Sequence, residues 1–308
     1  MKRKTLSFVA SLVVLGWIMT ACDKNPITGV ESKIDVAQNT GDDSVGKAAS
    51  LQTTALAWEA RHGLTSAQYQ SVFTDLVSKG YRLKVVSGYT SGGQERYAAL
   101  WLKTASPEWA ARHGMSSADY QAAFNSFMQK GFRLVYVCGY AVNNQPRFAA
   151  IWEKSLGPDW VARHGLTSAQ YQSVSNDLVS KGYRIKHVSG YTVNRQDFYA
   201  AIWEKSSGPA WVARHGLTSA QYQQAFNDFT NKGYRLKVVS GYQVGVEDRY
   251  AAIWEKTTGP LFAARHGING ASYQSVFNYF YYQGYQMMYV NAFASGNAEK
   301  FNGIWEKQ

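Results

Sequence analysis

The chain has 308 residues, a formal net charge of +11 and two cysteines. Two cysteines exclude a fold held together by a disulfide framework. The basic excess suits association with acidic surfaces such as anionic glycans or lipid headgroups and bears on partners rather than fold.

The first segment opens with Lys2, Arg3 and Lys4, runs through an apolar stretch from Leu6 to Met19 and reaches Thr20-Ala21-Cys22. A basic start, a short apolar run and a small residue before the cut describe a secretory signal, too short for a comfortable membrane span. Cysteine at that point resembles the lipobox of bacterial lipoproteins, in which the signal is cut before the cysteine and the thiol carries diacylglycerol. Met19 departs from that pattern, where leucine is usual. The resemblance implies an exported chain, lipid-anchored at Cys22 in a bacterial cell envelope; nucleic acid is not an expected partner there. From Asp23 to about Ala55 the composition turns to Asp, Gly, Ser, Thr, Asn and Lys, the composition of a flexible tether. The expected organisation is a lipoprotein signal peptide over 1–21, a tether over 22–55 and a folded domain over 56–308.

The domain is periodic. Arg61, Arg112, Arg163, Arg214 and Arg265 are each followed by His and Gly, and each lies 51 residues after the last. The stretch VARHGLTSAQYQ occurs twice unchanged, at 161–172 and 212–223. A fixed period held across five copies marks a repeat architecture. It accounts for everything from Trp58 to Gln308, so no separate catalytic domain is expected there.

Within a unit, the segment Trp211-Val212-Ala213-Arg214-His215 and its equivalents read as a short strand, with a turn of helix as the alternative. Thr65 with Gln68, Thr167 with Gln170 and Thr218 with Gln221 form capping boxes. Tyr69, Val72, Phe73, Leu76 and Val77 then mark one face of a helix. Gly80, Gly131, Gly182, Gly233 and Gly284 stand where a left-handed cap ends it. Tyr81, Leu83 and Val85 alternate with Arg82 and Lys84, the period of a half-buried strand. A polar tip and a second strand such as Arg249–Trp254 complete a hairpin. The fold class expected is α+β: five tandem 51-residue helix-plus-β-hairpin repeats, closed into a propeller-like ring, with an open solenoid as the alternative. The last unit diverges, with Asn291-Ala292-Phe293 where the first has Ser87-Gly88-Tyr89, and Gln286 in place of Arg. Divergence at one end is what a solenoid cap would show.

These motifs together (Trp-x-Ala-Arg-His-Gly, the Tyr-Gln helix, Gly-Tyr-Arg-Leu, Gly-Tyr and Ala-Ala-Ile-Trp-Glu-Lys) resemble the bacterial tandem repeat domain family. Similar repeats form the non-catalytic N-terminal part of polyglycine hydrolases, ahead of a serine β-lactamase-like domain. The resemblance covers residues 58–308 and implies a propeller-like fold, leaving function open.

Five histidines, His62, His113, His164, His215 and His266, invite a metal or catalytic reading, yet no acidic residue recurs beside them and a metal needs donors that converge. The structural reading is preferred: the arginine in an ion pair, with Glu153, Glu204, Glu255 and Glu306 as natural partners, and the histidine as a hydrogen-bonding fixture. No metal and no cofactor is expected. Trp58, Trp109, Trp160 and Trp211, with the second series Trp101, Trp152, Trp203, Trp254 and Trp305, suggest sugar stacking but read first as core and interface residues.

The third unit breaks pattern twice, with Ser175 in place of Phe and His187 in place of Val or Tyr. A serine and a histidine together are the beginnings of a hydrolase site; the preferred reading is a size exchange in which the hydroxyl partners the imidazole. Gly-x-Ser-x-Gly and His-Glu-x-x-His are absent, and Ser-x-x-Lys does not occur within residues 58–308. The hairpin tips vary most, and they supply the binding candidates: Gln94, Glu95, Asn143, Asn144, Asn194, Arg195, Glu247, Asp248 and Asn297. Unlike loops on one rigid scaffold make a binding surface. The function expected is a lipid-anchored, non-catalytic binding module for a glycan, peptide or protein; a hydrolase in the third unit and a structural spacer are the alternatives.

Overall fold

The computed structural model describes residues 57–308. The expected signal peptide, Cys22 and the tether lie outside the described residues, as does residue 56. In the first repeat β1 (Trp58–Leu64) leads into α1 (Ser66–Ser78), followed by β2 (Arg82–Ser91) and β3 (Gln94–Leu102). The second repeat has β4 (Trp109–Met115), α2 (Ser117–Gln129), β5 (Arg133–Val142) and β6 (Gln145–Glu153). The third has β7 (Trp160–Thr167), α3 (Ser168–Ser180), β8 (Arg184–Val193) and β9 (Gln196–Glu204). The fourth has β10 (Trp211–Thr218), α4 (Ser219–Asn231), β11 (Arg235–Val244) and β12 (Glu247–Glu255). The fifth has β13 (Phe262–Asn269), α5 (Gly270–Tyr282), β14 (Tyr285–Ser295) and β15 (Ala298–Lys307).

The helices start and stop where the sequence places their signals. The Thr65 hydroxyl accepts from the Gln68 amide at 3.2 Å, and the Gln68 side chain accepts from the Thr65 amide at 2.9 Å. Two of the orphan donors at the helix start are thereby satisfied. Ser116 and Asp119 make an equivalent box in the second repeat, and Asn269 caps the fifth helix. At the other end Gly80 takes φ +82°, a conformation that costs glycine nothing, and the Tyr81 amide reaches back to the Leu76 carbonyl at 2.9 Å.

Each repeat forms a three-stranded antiparallel sheet in the order β1-β3-β2, its last strand in the middle. The ambiguous Arg-His segment is thus a strand, paired with the hairpin rather than standing apart. Opposite Trp101 and Leu100 the second strand carries one extra residue, Lys84, and the same bulge recurs in all five sheets. The second strand is not half-buried as its alternation suggests: Val85 to Tyr89 are all buried. The reason lies between repeats. β2 packs against β5, β5 against β8, β8 against β11, β11 against β14, and β14 against β2. The divergent last repeat therefore touches the first, which its sequence alone did not indicate.

Trp101, Trp152, Trp203, Trp254 and Trp305 are wholly buried under the helices; Tyr69, for example, stacks on Tyr97 at 5.0 Å and sits 6.1 Å from Trp101. Their indole N–H groups have no acceptor, so these rings contribute area rather than hydrogen bonds. Neighbouring repeats are keyed by a glycine and an aromatic ring. The Tyr140 ring lies where a Cβ on Gly88 would be, and the arrangement repeats for Tyr191 on Gly139, Tyr242 on Gly190 and Phe293 on Gly241. The residue before each glycine completes the joint: Ser189 and Ser240 accept from the amides of Gly139 and Gly190 at 3.0 Å, and Asn291 from Gly241 at 2.8 Å. Between first and last repeats, Ser87 accepts from the Ala292 amide at 2.9 Å and donates to its carbonyl at 3.1 Å. Cys138 occupies the serine position of the second repeat, buried and free, and burial pushes its thiol pKa up.

A methyl group at Gly190 would collide with the Tyr242 ring. Gly190→Ala is expected to destabilise the chain by about 2–3 kcal/mol, the upper range for overpacking, read as a lower urea midpoint. An unchanged midpoint would show that the ring yields freely and that the joint is not keyed by glycine.

Candidate binding basin

The Arg-His strands lie at the junctions between repeats, one pair per junction. The His113 ring sits edge-on to Tyr69 of the preceding helix at 4.6 Å and shares a hydrogen bond with Ser66 at 3.1 Å. His215 and His266 do the same with Ser168 and Ser219. His164 lies against Tyr120 at 4.8 Å, and His62 donates to Gln274 of the last repeat at 2.9 Å. Five histidines distributed over five junctions do not converge on one another; His62, His113, His215 and His266 each hydrogen-bond across a junction, and His164 makes ring contacts there.

The glutamate partners expected for the arginines need correction, although Arg61 does pair with a carboxylate, that of Glu59, at 2.7 Å. Arg61, Arg112, Arg163, Arg214 and Arg265 each donate to the carbonyl of the preceding alanine. Glu153, Glu204, Glu255 and Glu306 pair instead with Arg82, Arg133, Arg184 and Arg235 of the preceding repeat. The register explains it: Arg82 and Glu153 both stand at the ends of their strands, whereas Arg61 is opposite Ala99, well inside the sheet.

In the third repeat Ser175 and His187 are not joined to each other. His187 is buried beside Tyr136 at 4.4 Å, and its Nε2 donates to the Val137 carbonyl at 2.8 Å. Ser175 lies on α3 beside Tyr171, and no hydrogen bond joins it to His187. The expected size exchange, with the Ser175 hydroxyl partnering the His187 imidazole, is therefore also corrected, because the two positions belong to different contacts. Elsewhere the helix position packs on the first strand of the next repeat, as Phe73 does on Trp109 at 5.7 Å and Phe124 on Trp160 at 5.8 Å. The strand position faces its counterparts in other repeats.

The hairpin tips come together. A basin of about 540 Å³ is lined by residues of all five repeats, among them Asn143, Asn144, Arg195 and Asn297 from the tips. Its walls carry Thr90, Thr192 and Gln243, which the sequence reading missed because they precede the variable turns. The Thr192 hydroxyl has no hydrogen-bond partner, whereas Thr90 donates to the Ala141 carbonyl at 2.6 Å. Gly93, Gly245 and Gly296 leave further backbone open to the basin.

Other tip candidates are internal fittings. Glu95 accepts from the Tyr140 hydroxyl at 2.6 Å, and Asp248 holds Lys300 and Ser295 of the next repeat at 2.5 and 2.8 Å. Gln94 accepts from Arg96, and Glu247 pairs with Arg249. Asn143, Asn144, Asn194 and Arg195 occupy two-residue turns with φ between +50° and +65°. Asparagine tolerates that region; arginine does so at a cost of about 1–2 kcal/mol. Among the described residues Arg195 is the one strained residue of this kind other than asparagine, and it faces the basin.

Five modules of one helix and three strands, joined end to end and presenting unlike turns to one basin, define a tandem-repeat scaffold. The family model described as polyglycine hydrolase-like, structural repeat matches residues 55–104, 106–155, 157–206, 208–257 and 259–308, and the chain belongs to that family.

Replacing Arg195 by glycine is expected to raise stability by about 1 kcal/mol through relief of the turn, seen as a higher melting temperature; a lower one would mean the guanidinium stabilises the tip. Acid should weaken the fold. Burial pulls the His187 pKa down to about 4, against the Val137 hydrogen bond, and burial does the same at His266. The unfolded chain therefore takes up protons first, near pH 6.5, so stability falls as the pH drops from there toward 4. Each residue accounts for up to about 3 kcal/mol of that loss. Denaturation midpoints for His187→Gln should show a shallower fall over this window, and an unaltered slope would contradict a neutral buried imidazole.

Proposed function

We propose that this chain is a lipid-anchored protein of a bacterial cell envelope, exported by residues 1–21 and tethered through Cys22 by residues 22–55. Its folded part is a non-catalytic binding module. The five repeats close into a propeller-like ring, a reading supported by the packing of β2 on β14 in the same manner as β2 on β5 and by the His62–Gln274 and Ser87–Ala292 hydrogen bonds. Among the described residues, no helix is long and apolar enough to cross a membrane.

The observation that carries the binding reading is the basin: five turns of different sequence deliver amide, guanidinium and backbone groups into one concavity. Concave sites with a few fixed polar groups are where ligands are held. Asparagine amides and one arginine offer donors and acceptors without a nucleophile or base, the chemistry for gripping a glycan or a peptide backbone rather than cleaving it.

The test is binding of the full chain to arrays of glycans, peptidoglycan fragments and glycine-rich peptides, beside a variant whose five tips are replaced by Asn-Gly turns. Ligand captured by the parent and lost by at least about tenfold in the variant is expected. Retained binding would move the site away from the basin, and a variant that leaves every phenotype intact would favour a spacer.

A further inference from the structure

The two ends of the module differ in chemistry, and strand register says which end the chain enters. Trp58 and Arg82 both stand opposite Leu102, so the strand that follows the tether begins at the end remote from the tips. Basic side chains gather there. Lysines follow the first four helices, at Lys79, Lys130, Lys181 and Lys232, and Lys103 with its four repeat equivalents ends each hairpin over an aromatic ring; of these, Lys79, Lys154 and Lys181 pair with Asp75, Glu108 and Asp177. Arg82 and its equivalents at this end are neutralised by glutamates. Lys84, Lys186 and Lys237 stand on the strand bulges, where among the described residues no carboxylate pairs with them. Lys84 and Lys237 flank a hollow of about 200 Å³ to which all five repeats contribute. At the tip end, acids and bases are interspersed and largely paired, as in Asp248 with Lys300 and Glu247 with Arg249.

Apolar groups are exposed at the same cationic end. The last turn of α5 displays Tyr279, Tyr281 and Tyr282, at 50, 54 and 80 % exposure, where α1, α2 and α3 each expose one apolar residue, Val77, Met128 and Val179. Tyr281 lies 6.0 Å from Trp58, at the point where the chain enters. Leu156, in the loop between β6 and β7, is fully exposed on that end too. Lysines beside exposed tyrosines form the combination that suits the headgroup region of an anionic bilayer, where rings with one apolar and one polar side settle and basic residues gain Coulomb energy.

We propose that this end of the module docks on an anionic lipid surface, leaving the tip-lined basin facing away from the membrane. The inference rests on the envelope reading above but concerns the surface of the folded module, and it holds without the acyl chain. The tether then serves to deliver the module, and the cationic face sets its orientation.

The chain from residue 22 onward, carrying Cys22→Ser to remove the acylation site, is to be sedimented with vesicles of phosphatidylcholine alone and of phosphatidylcholine with phosphatidylglycerol. Binding to the anionic vesicles only, weakening as salt rises, is expected. Lys84→Glu/Lys186→Glu/Lys237→Glu should lower the affinity by about 100-fold, and Tyr279→Ser/Tyr281→Ser/Tyr282→Ser by about tenfold, with melting curves confirming that both variants fold. Failure to bind, equal binding to neutral vesicles, or loss of binding on replacing the tips instead would overturn the proposal. Lipidation is read independently from the mass of the unmodified chain expressed in a bacterial host. An acylated protein whose Cys22→Ser form ignores anionic vesicles would keep the anchor and sink the docking face.

Discussion

The contact on which the rest depends is a ring of one repeat lying directly on the backbone of its neighbour. Because Tyr140 fills the space that a side chain on Gly88 would need, adjacent second strands approach until their buried residues interlock. That approach buries both faces of the second strand, brings Arg82 within reach of Glu153 and places each histidine under the helix of the preceding repeat. A small unit with one helix and three strands has too little interior to stand alone. The joint supplies the missing half of its core.

The same constraint divides conserved geometry from variable chemistry within the chain. Everything that touches the joint keeps its residue type from copy to copy or changes in a compensated way. Phe293 lacks the hydroxyl with which Tyr89, Tyr191 and Tyr242 receive the amides of Gly63, Gly165 and Gly216; Asn302 provides the acceptor for Gly267 instead, at 2.9 Å. The turns lie beyond the joint and carry no such obligation. Their freedom to vary follows from their distance from the packing, and this is why a binding surface there costs the scaffold little.

Helix starts and ends were legible in the sequence because capping boxes and left-handed glycines are local signals, complete within a few residues. The first strand was ambiguous because its partner, β3, lies almost a whole repeat away in sequence. Ion pairing was misassigned for the same reason: the arginines that meet the glutamates stand 71 residues before them, and only register distinguishes Arg82 from Arg61. Of the turn residues, Asn143, Asn144, Arg195 and Asn297 were recognisable as a group, whereas Glu95 and Asp248 looked identical to them until the neighbouring repeat was in place. Thr90, Thr192 and Gln243 gave no signal, since the walls of a concavity shared by five modules are not contiguous in any one of them.

The divergence of the last repeat has a consequence for how the chain finds its own ends. Copies as alike as the third and fourth are interchangeable in principle, and near-identical modules are prone to dock out of order or onto another molecule during folding. Asn291, Ala292 and Asn302 occur together only once; Asn302 donates to Asn291 at 2.8 Å and Asn291 reaches Ser87 at 3.4 Å, contacts for which the other repeats have no amide side chain at these positions. The irregular copy therefore gives the contact between the last repeat and the first a set of side chains that the near-identical repeats cannot supply.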